Sequence, residues 1–267
     1  MNRKIVLFLL CGLFFHGFVF AQGKNKINGI FESDKNTIAL WKMNEGIGQI
    51  VKDCSVNKND ALLGASDLED EADPTWQEYR GEFLLCFDGE DDFLLTKNSE
   101  SFNLTKKEGF TIECILKPMS KIEKPFDRID LIGKGYDSDP NGGWNLIITK
   151  DLSENKIVFS ITASDKKRYN VRSSKVNLPF DQWSYIAAVA DGKTMSIFLN
   201  GEKIGETQCG KLPAPNSRTI LIGKYCGDSP YDFKGYIREI RLSDIGRKIE
   251  PLADMPLRSG SASDGGK

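Results

Sequence analysis

Histidine is all but missing from this chain. The 267 residues hold one, His16, inside an N-terminal apolar run. The body of the protein therefore has no imidazole for a Ser-His-Asp relay or a His-rich zinc site. Cysteine is scarce too: there are six, with no Cys-x-x-Cys pair, so a thiolate zinc site has no support. Gly-rich phosphate loops and long amphipathic helices with capping boxes are absent, which disfavours the nucleotide-binding βαβ folds. Neither charge sign dominates, with 36 Lys+Arg against 38 Asp+Glu. No broad field draws the chain to nucleic acid or to anionic lipid. What remains is 40% hydrophobic and 28% charged, enough to bury a core.

Asn2, Arg3 and Lys4 precede an apolar run from Ile5 to Phe20, and Val19-Phe20-Ala21 stands before Gln22. This is the pattern of a secretory signal, residues 1–21, removed from the mature protein. The run is shorter than the roughly 20 residues needed to span a bilayer, so no transmembrane span is expected. The expected location is secreted, periplasmic or cell-surface. Residues 22–36 read as a lead-in and 246–267, ending in Ser-Gly-Ser-Ala-Ser-Asp-Gly-Gly-Lys, as a flexible tail. Past the signal five cysteines remain, and an odd number leaves one thiol unpaired. Cys209 and Cys226 flank the Pro213/Pro215 loop between two strand-like runs and are the best-placed disulfide pair, worth about 3 kcal/mol. The other reading is two buried thiols. Cys86 and Cys114 sit inside strand-like runs and read as small apolar packing.

Between Thr37 and Asp244 apolar residues recur mostly at period two, in short runs broken by Gly, Asp, Asn and Pro. That is an all-β signature. Phe110 to Leu116, Lys156 to Ile161 and Met195 to Leu199 are of strand length. Asn200-Gly201 predicts a type I′ hairpin returning over Lys203–Thr207, because both turn residues tolerate positive φ. Asp191-Gly192 predicts a second such turn.

Trp41-Lys42-Met43-Asn44-Glu45-Gly46, Asp53-Cys54-Ser55, Phe87-Asp88-Gly89, Ile132-Gly133-Lys134-Gly135, Trp183-Ser184-Tyr185 and Gly235-Tyr236-Ile237-Arg238-Glu239-Ile240 follow in an order that resembles the LamG-like domains of the concanavalin A-like lectin/glucanase superfamily. The resemblance implies a jelly-roll β-sandwich of two antiparallel sheets over residues 37–245. Its relatives bind glycans, bind proteins or cleave polysaccharides. The chain departs from the pattern at Asn44 and at Arg238, where relatives carry Asp, which weakens any borrowed acidic site.

Glycoside hydrolysis needs two carboxylates about 5 to 10 Å apart across the sugar. Superfamily glucanases supply them as Glu-x-Asp-x-x-Glu. The nearest run, Asp127-Arg128-Ile129-Asp130-Leu131-Ile132, has the wrong spacing and lacks the final acid. Jelly-roll lyases pair Tyr with His, and past the signal there is no His. Calcium is a better fit, since a hard cation takes six to eight oxygens. Two clusters supply them: Asp53 with Asn57, Asn59 and Asp60, and Asp91 and Asp92 with Asp88. The competing reading is solvated turns with local Asx bonds. For sugar, aromatic faces stack on pyranose rings while amides and carboxylates fix hydroxyls. Trp41 and Trp183 read as core. Trp76 and Trp144 stand where they would line a cleft or pack inside, and Tyr136 and Tyr231, in polar loops, are the preferred glycan contacts. Asn103-Leu104-Thr105 fits a glycosylation acceptor in a eukaryotic host. The reading is an exported, non-catalytic carbohydrate-binding or adhesion module with a structural calcium. A polysaccharide-degrading enzyme of the same fold and a module for a cell-surface protein are the alternatives.

Overall fold

The computed structural model describes residues 30–119, 128–135, 141–151, 154–174, 178–226 and 232–252. Sixteen strands and one 3₁₀ turn (Glu100–Phe102) fill them. The first six strands are β1 (Thr37–Trp41), β2 (Ile50–Val51), β3 (Ala61–Leu63), β4 (Thr75–Tyr79), β5 (Glu82–Asp88) and β6 (Leu94–Thr96). Next come β7 (Phe110–Pro118), β8 (Arg128–Lys134), β9 (Gly143–Asp151), β10 (Glu154–Thr162) and β11 (Arg168–Arg172). The last are β12 (Ser184–Ala190), β13 (Thr194–Leu199), β14 (Glu202–Gln208), β15 (Leu221–Ile222) and β16 (Lys234–Ser243).

These strands form two antiparallel sheets. Sheet A runs β14-β13-β12-β7-β16-β5-β4, with β1 also paired to β16, and sheet B runs β11-β10-β9-β8-β15-β6-β3-β2. Alternation in the sequence decides the inward faces: Phe110, Ile112, Cys114 and Leu116 of β7 point into the sandwich, and Trp144, Leu146 and Ile148 of β9 meet them. Trp41, Met43, Phe87, Phe102 and Phe159 complete the inter-sheet core. Deeply buried aromatics of this size each remove 150–250 Å² from water, which makes them the largest single contributors to such a core. Both expectations for Trp41 and for the jelly-roll class are met.

Asn200 and Gly201 take φ of +52° and +88° between β13 and β14, the I′ geometry read from their sequence. A side chain at Gly201 would also strike Pro251, at 2.3 Å from its backbone nitrogen. The Asp191-Gly192 turn differs. Only Gly192 has positive φ, and Asp191 instead accepts the Lys193 and Thr194 N–H groups, at 2.9 and 2.7 Å. An Asx-type cap replaces the I′ turn there.

A second apolar cluster covers the outer face of sheet A. Leu40, Leu84, Ile115, Trp183 and Tyr185 point outward and are closed over by Phe31 from the lead-in and Ile249 from beyond β16. Residues 247–252, read from composition as part of the tail, are thus packed: Arg247 forks onto Asp34 at 2.9 and 2.7 Å, and Leu252 lies against the same cluster. The apolar Ile249 and Leu252 are too few to show as a periodic signal, yet enough to seat a segment on an apolar face. No helix among the described residues is long and apolar enough to cross a membrane. Residues 1–21, read as the signal, lie outside the described residues.

Candidate functional site

The outer face of sheet B carries the most varied chemistry. Strand register places one residue from each of its eight strands in a single row: Ile50, Leu62, Leu95, Leu221, Gly133, Asn145, Ser160 and Asn170. Their alternate neighbours Val51, Ala61, Leu63, Leu94, Ile220, Ile222 and Phe159 belong to the inter-sheet core, so this row faces outward. Four of its residues are aliphatic and three, Asn145, Ser160 and Asn170, are polar. Gly133, with no side chain, marks the border.

A cavity of about 470 Å³ opens at that border, lined by Asn141, Asn216, Ser217, Arg218, Thr219, Leu221 and Cys226. It falls within the size range of small-molecule sites. Lys134 braces its lining residue Asn216. This lysine is buried at the end of β8 and its Nζ donates to Asn216 O (2.6 Å), Asn216 Oδ1 (2.9 Å) and Asn103 Oδ1 (3.2 Å). Burial pushes its pKa down to about 8, while the three acceptors hold the ammonium. Asn216 also donates to Gly142 O at 3.0 Å. The loop before β15 is thereby pinned to sheet B. Asn103, the glycosylation-type asparagine, spends its side chain on Lys134 and on the Asn216 N–H. Beside the cavity, Gly143, Asn145, Ser160, Thr162 and Arg168 line a shallow crease, where Arg168 Nη2 donates to Ser160 Oγ at 2.9 Å.

Of the four candidate glycan contacts, one is no platform and a second is half-buried. Trp144 is 3% exposed and sits in the core against Phe110, ring centroids 6.3 Å apart. Its period-two position on β9 turns it inward. Trp76 is half-buried against the same core, with its indole N–H donated to Gly48 O at 2.9 Å. Tyr136 and Tyr231 lie outside the described residues. The segments that hold them adjoin Asn141 and Cys226, both cavity residues. Asn216, Arg218 and Thr219 were missed from sequence because the segment Pro213–Thr219 shows neither a motif nor a period.

Asp130, from the run nearest to a glucanase motif, is held by Arg128 through two bonds, 2.6 and 2.8 Å, and Arg128 lies 4.7 Å over the Tyr225 ring. Asp127 lies outside the described residues. Among the described residues, no carboxylate lines the cavity or the crease. Cys209 and Cys226 are not joined to each other; their thiols are directed at different carbonyls, Lys211 O and Gly133 O.

The two acidic clusters differ. In the first, the buried Asp53 is fully engaged: Oδ1 accepts the Leu40 and Ser55 N–H groups, and Oδ2 accepts Ser55 Oγ–H and the Asn59 N–H, all within 2.9 Å. Asn59 spends its amide on Ile38 O and Ser101 Oγ. Asp53 and Asn59 therefore organise a turn, and both Asp53 oxygens are already occupied by hydrogen bonds. Asp60 pairs with Lys52 at 2.7 Å.

In the second cluster a carboxylate oxygen from each of Asp88, Asp91 and Asp92 lies within 4.8 Å of the others. Burial, with the facing charges of Asp88, Asp91 and Asp73, pushes Asp92 up to about 6. Asp73 adds an independent sign. It is 8% exposed, its Oδ2 accepts the Asp70 N–H at 2.9 Å, and its Oδ1 has no hydrogen-bond partner. That oxygen stands where a Cβ on Gly64 would be, and Gly64 donates to Phe93 O, next to Asp92. Gln49 Oε1, beside Leu63, is another buried oxygen without a partner. A buried, unpaired carboxylate oxygen is costly. The donor set is all oxygen and anionic, which suits a hard cation.

No curated protein matches the chain in sequence. Solved structures show the same fold at low identity. The binding domain of Paraclostridial Mosquitocidal Protein 1 superposes with a TM-score of 0.60 at 15% identity, over 79% of this chain and 49% of that one. Domain 4 of AbnA, a GH43 extracellular arabinanase from Geobacillus stearothermophilus solved with arabinotriose, gives 0.58 at 14%, over 81% and 95%. The binding domain of botulinum neurotoxin DC, solved with SialylT, gives 0.57 at 15%, over 80% and 49%. The chain spans about half the length of the toxin binding domains it matches. The family model Laminin_G_3, of the concanavalin A-like lectin/glucanases superfamily, matches residues 88–248, and the chain belongs to that family.

Proposed function

We propose that this protein is an exported, non-catalytic glycan-binding module that takes its ligand in the cavity beside β15 and holds a structural calcium at Asp73, Asp88, Asp91 and Asp92. The cavity carries this reading. Its described lining of amides, hydroxyls and a guanidinium, with Leu221 as an apolar wall, is the chemistry that orders sugar hydroxyls, and among the described residues it offers no carboxylate pair for hydrolysis. Fold neighbours solved with arabinotriose and with SialylT support the class without fixing the ligand. The signal-like N-terminus supports export. Calcium would be held by oxygens alone and would act on stability, since the acidic cluster borders β5 and β6 rather than the cavity.

Affinity electrophoresis through gels cast with a panel of polysaccharides, with calcium and with chelator, tests the proposal. Retardation is expected in some gels. Arg218→Ala and Asn141→Ala should each weaken it about tenfold or more, the loss expected for a charged or amide hydrogen bond to ligand, with thermal melts unchanged. Free migration in every gel would remove the glycan reading.

A further inference from the structure

The aliphatic half of the sheet B row has no role in the fold's interior, and of its residues only Leu221 lines the polar cavity. Ile50 is 38% exposed, and Leu62, Leu95 and Leu221 are half-buried, all on the outward face. They are register partners on four adjacent strands, so they form one continuous stripe about 14 Å long at the usual strand spacing. The stripe is one residue wide. On one side, two residues along each strand, stand Lys52, Asp60, Lys97 and Thr219; on the other stand Gly48, Phe93 under Lys224 Nζ at 4.9 Å, and Gly64, over which Asp73 Oδ1 sits. These flanking groups confine the stripe to a narrow track.

Leu221 is both the last residue of this stripe and a wall of the cavity. A ligand seated in the cavity therefore meets an apolar track that begins where its polar contacts end. Four half-buried side chains fall far short of the roughly 800 Å² per partner of a stable protein interface, so a second copy or a protein partner is a poor match for this shape. A single extended hydrocarbon chain is a good one.

We infer that the ligand is an acylated glycan, with its saccharide in the cavity and its hydrocarbon chain along Ile50, Leu62, Leu95 and Leu221; this rests on the glycan reading above. Burying that chain along the stripe adds to the affinity what the free saccharide lacks. The test uses three acylated glycans (lipopolysaccharide, lipoteichoic acid and mixed gangliosides), each beside its chemically delipidated counterpart, on immobilised protein. At least one intact form should bind tenfold or more tightly than its delipidated counterpart. Leu62→Gln with Leu95→Gln should remove that advantage and leave the delipidated glycan bound as before, which also reports that the variant folds. Ile50→Gln, at the exposed end, should lower the advantage severalfold without affecting the fold. Equal affinity for both forms would overturn the inference and leave the glycan reading standing. Binding of neither form would remove the glycan reading and the inference with it. Equal binding to plain phosphatidylcholine vesicles would overturn the inference in favour of a general lipid surface.

Discussion

Calcium at a hundredfold its dissociation constant should stabilise the protein by about 2.7 kcal/mol, seen as a rise in melting temperature of roughly 5 to 10 °C for a domain of this size. Asp73 Oδ1 is buried and unpartnered, its charge acts on Asp92, and the oxygens of Asp88, Asp91 and Asp92 already converge. Without an ion these groups repel. Asp92 shows it, with burial and its acidic neighbours holding it near 6 against an unfolded value of 3.8. A carboxyl raised in the folded state favours folding while protonated, fully so below about pH 3.8, and that contribution is lost as pH rises through about 6. In chelator, lowering the pH from 7 to 5 should therefore raise stability by about 1 kcal/mol from this group. With calcium present the trend reverses, because protons compete with the ion. Asp73→Asn and Asp92→Asn should each abolish the calcium-dependent shift, and Asp92→Asn should flatten the chelator profile between pH 5 and 7. A melt indifferent to calcium and chelator alike would refute the site.

Much of this architecture was legible from alternation, and the reasons for the gaps are local. Phe110 to Leu116 announced an inward face, and β7 carries it. Asn200-Gly201 announced its own turn because the two residues need no neighbour to adopt positive φ. The row across sheet B was not legible. Ile50, Leu62, Leu95 and Leu221 come from strands far apart in sequence, and period two tells which side of a strand a residue takes, not which strands lie side by side. Trp144 reads both ways in the sequence for the converse reason. Its loop-like neighbours Asn141-Gly142-Gly143 drew it outward, whereas β9 begins at Gly143 and the alternation already fixes Trp144 inward. Asp73 stood in an acidic run that reads as solvated, and only the folded chain shows one of its oxygens buried and alone.

Arg241→Ala should cost about 3–5 kcal/mol, the penalty for leaving a buried charge uncompensated. Glu113 points outward from sheet A yet is 2% exposed, because the lead-in closes over it. Arg241 answers that charge with Nε and Nη2, both at 2.7 Å from Oε2, and Tyr185 donates its hydroxyl to Oε1 at 2.6 Å. The same guanidinium lies 4.7 Å over the Phe31 ring and donates to Glu32 O at 3.1 Å. It thus joins the last strand, the central strand and the lead-in at one point. The charge pattern of Arg238, Glu239 and Arg241 reads from sequence as a cross-strand arrangement, and the structure extends it to the chain's opening: Glu239 accepts the Ile30 and Phe31 N–H groups at 2.7 and 2.9 Å, and Arg238 meets Glu82 at 2.8 Å. Truncating Arg241 removes the close partner of Glu113, leaving it only Arg247 Nε at 3.9 Å and the Tyr185 hydroxyl, and loosens the segment that shields it, so urea denaturation should show both a lower midpoint and faster exchange of the Phe31 amide. Arg241→Lys keeps the charge but not the planar fork, and should recover only part of the loss. The double variant Glu113→Gln, Arg241→Met should be closer to the parent than Arg241→Ala alone, since the stranded charge is gone. A single variant within 1 kcal/mol of the parent would show that water reaches Glu113, and that the closure of sheet A by residues 30–34 does not isolate it.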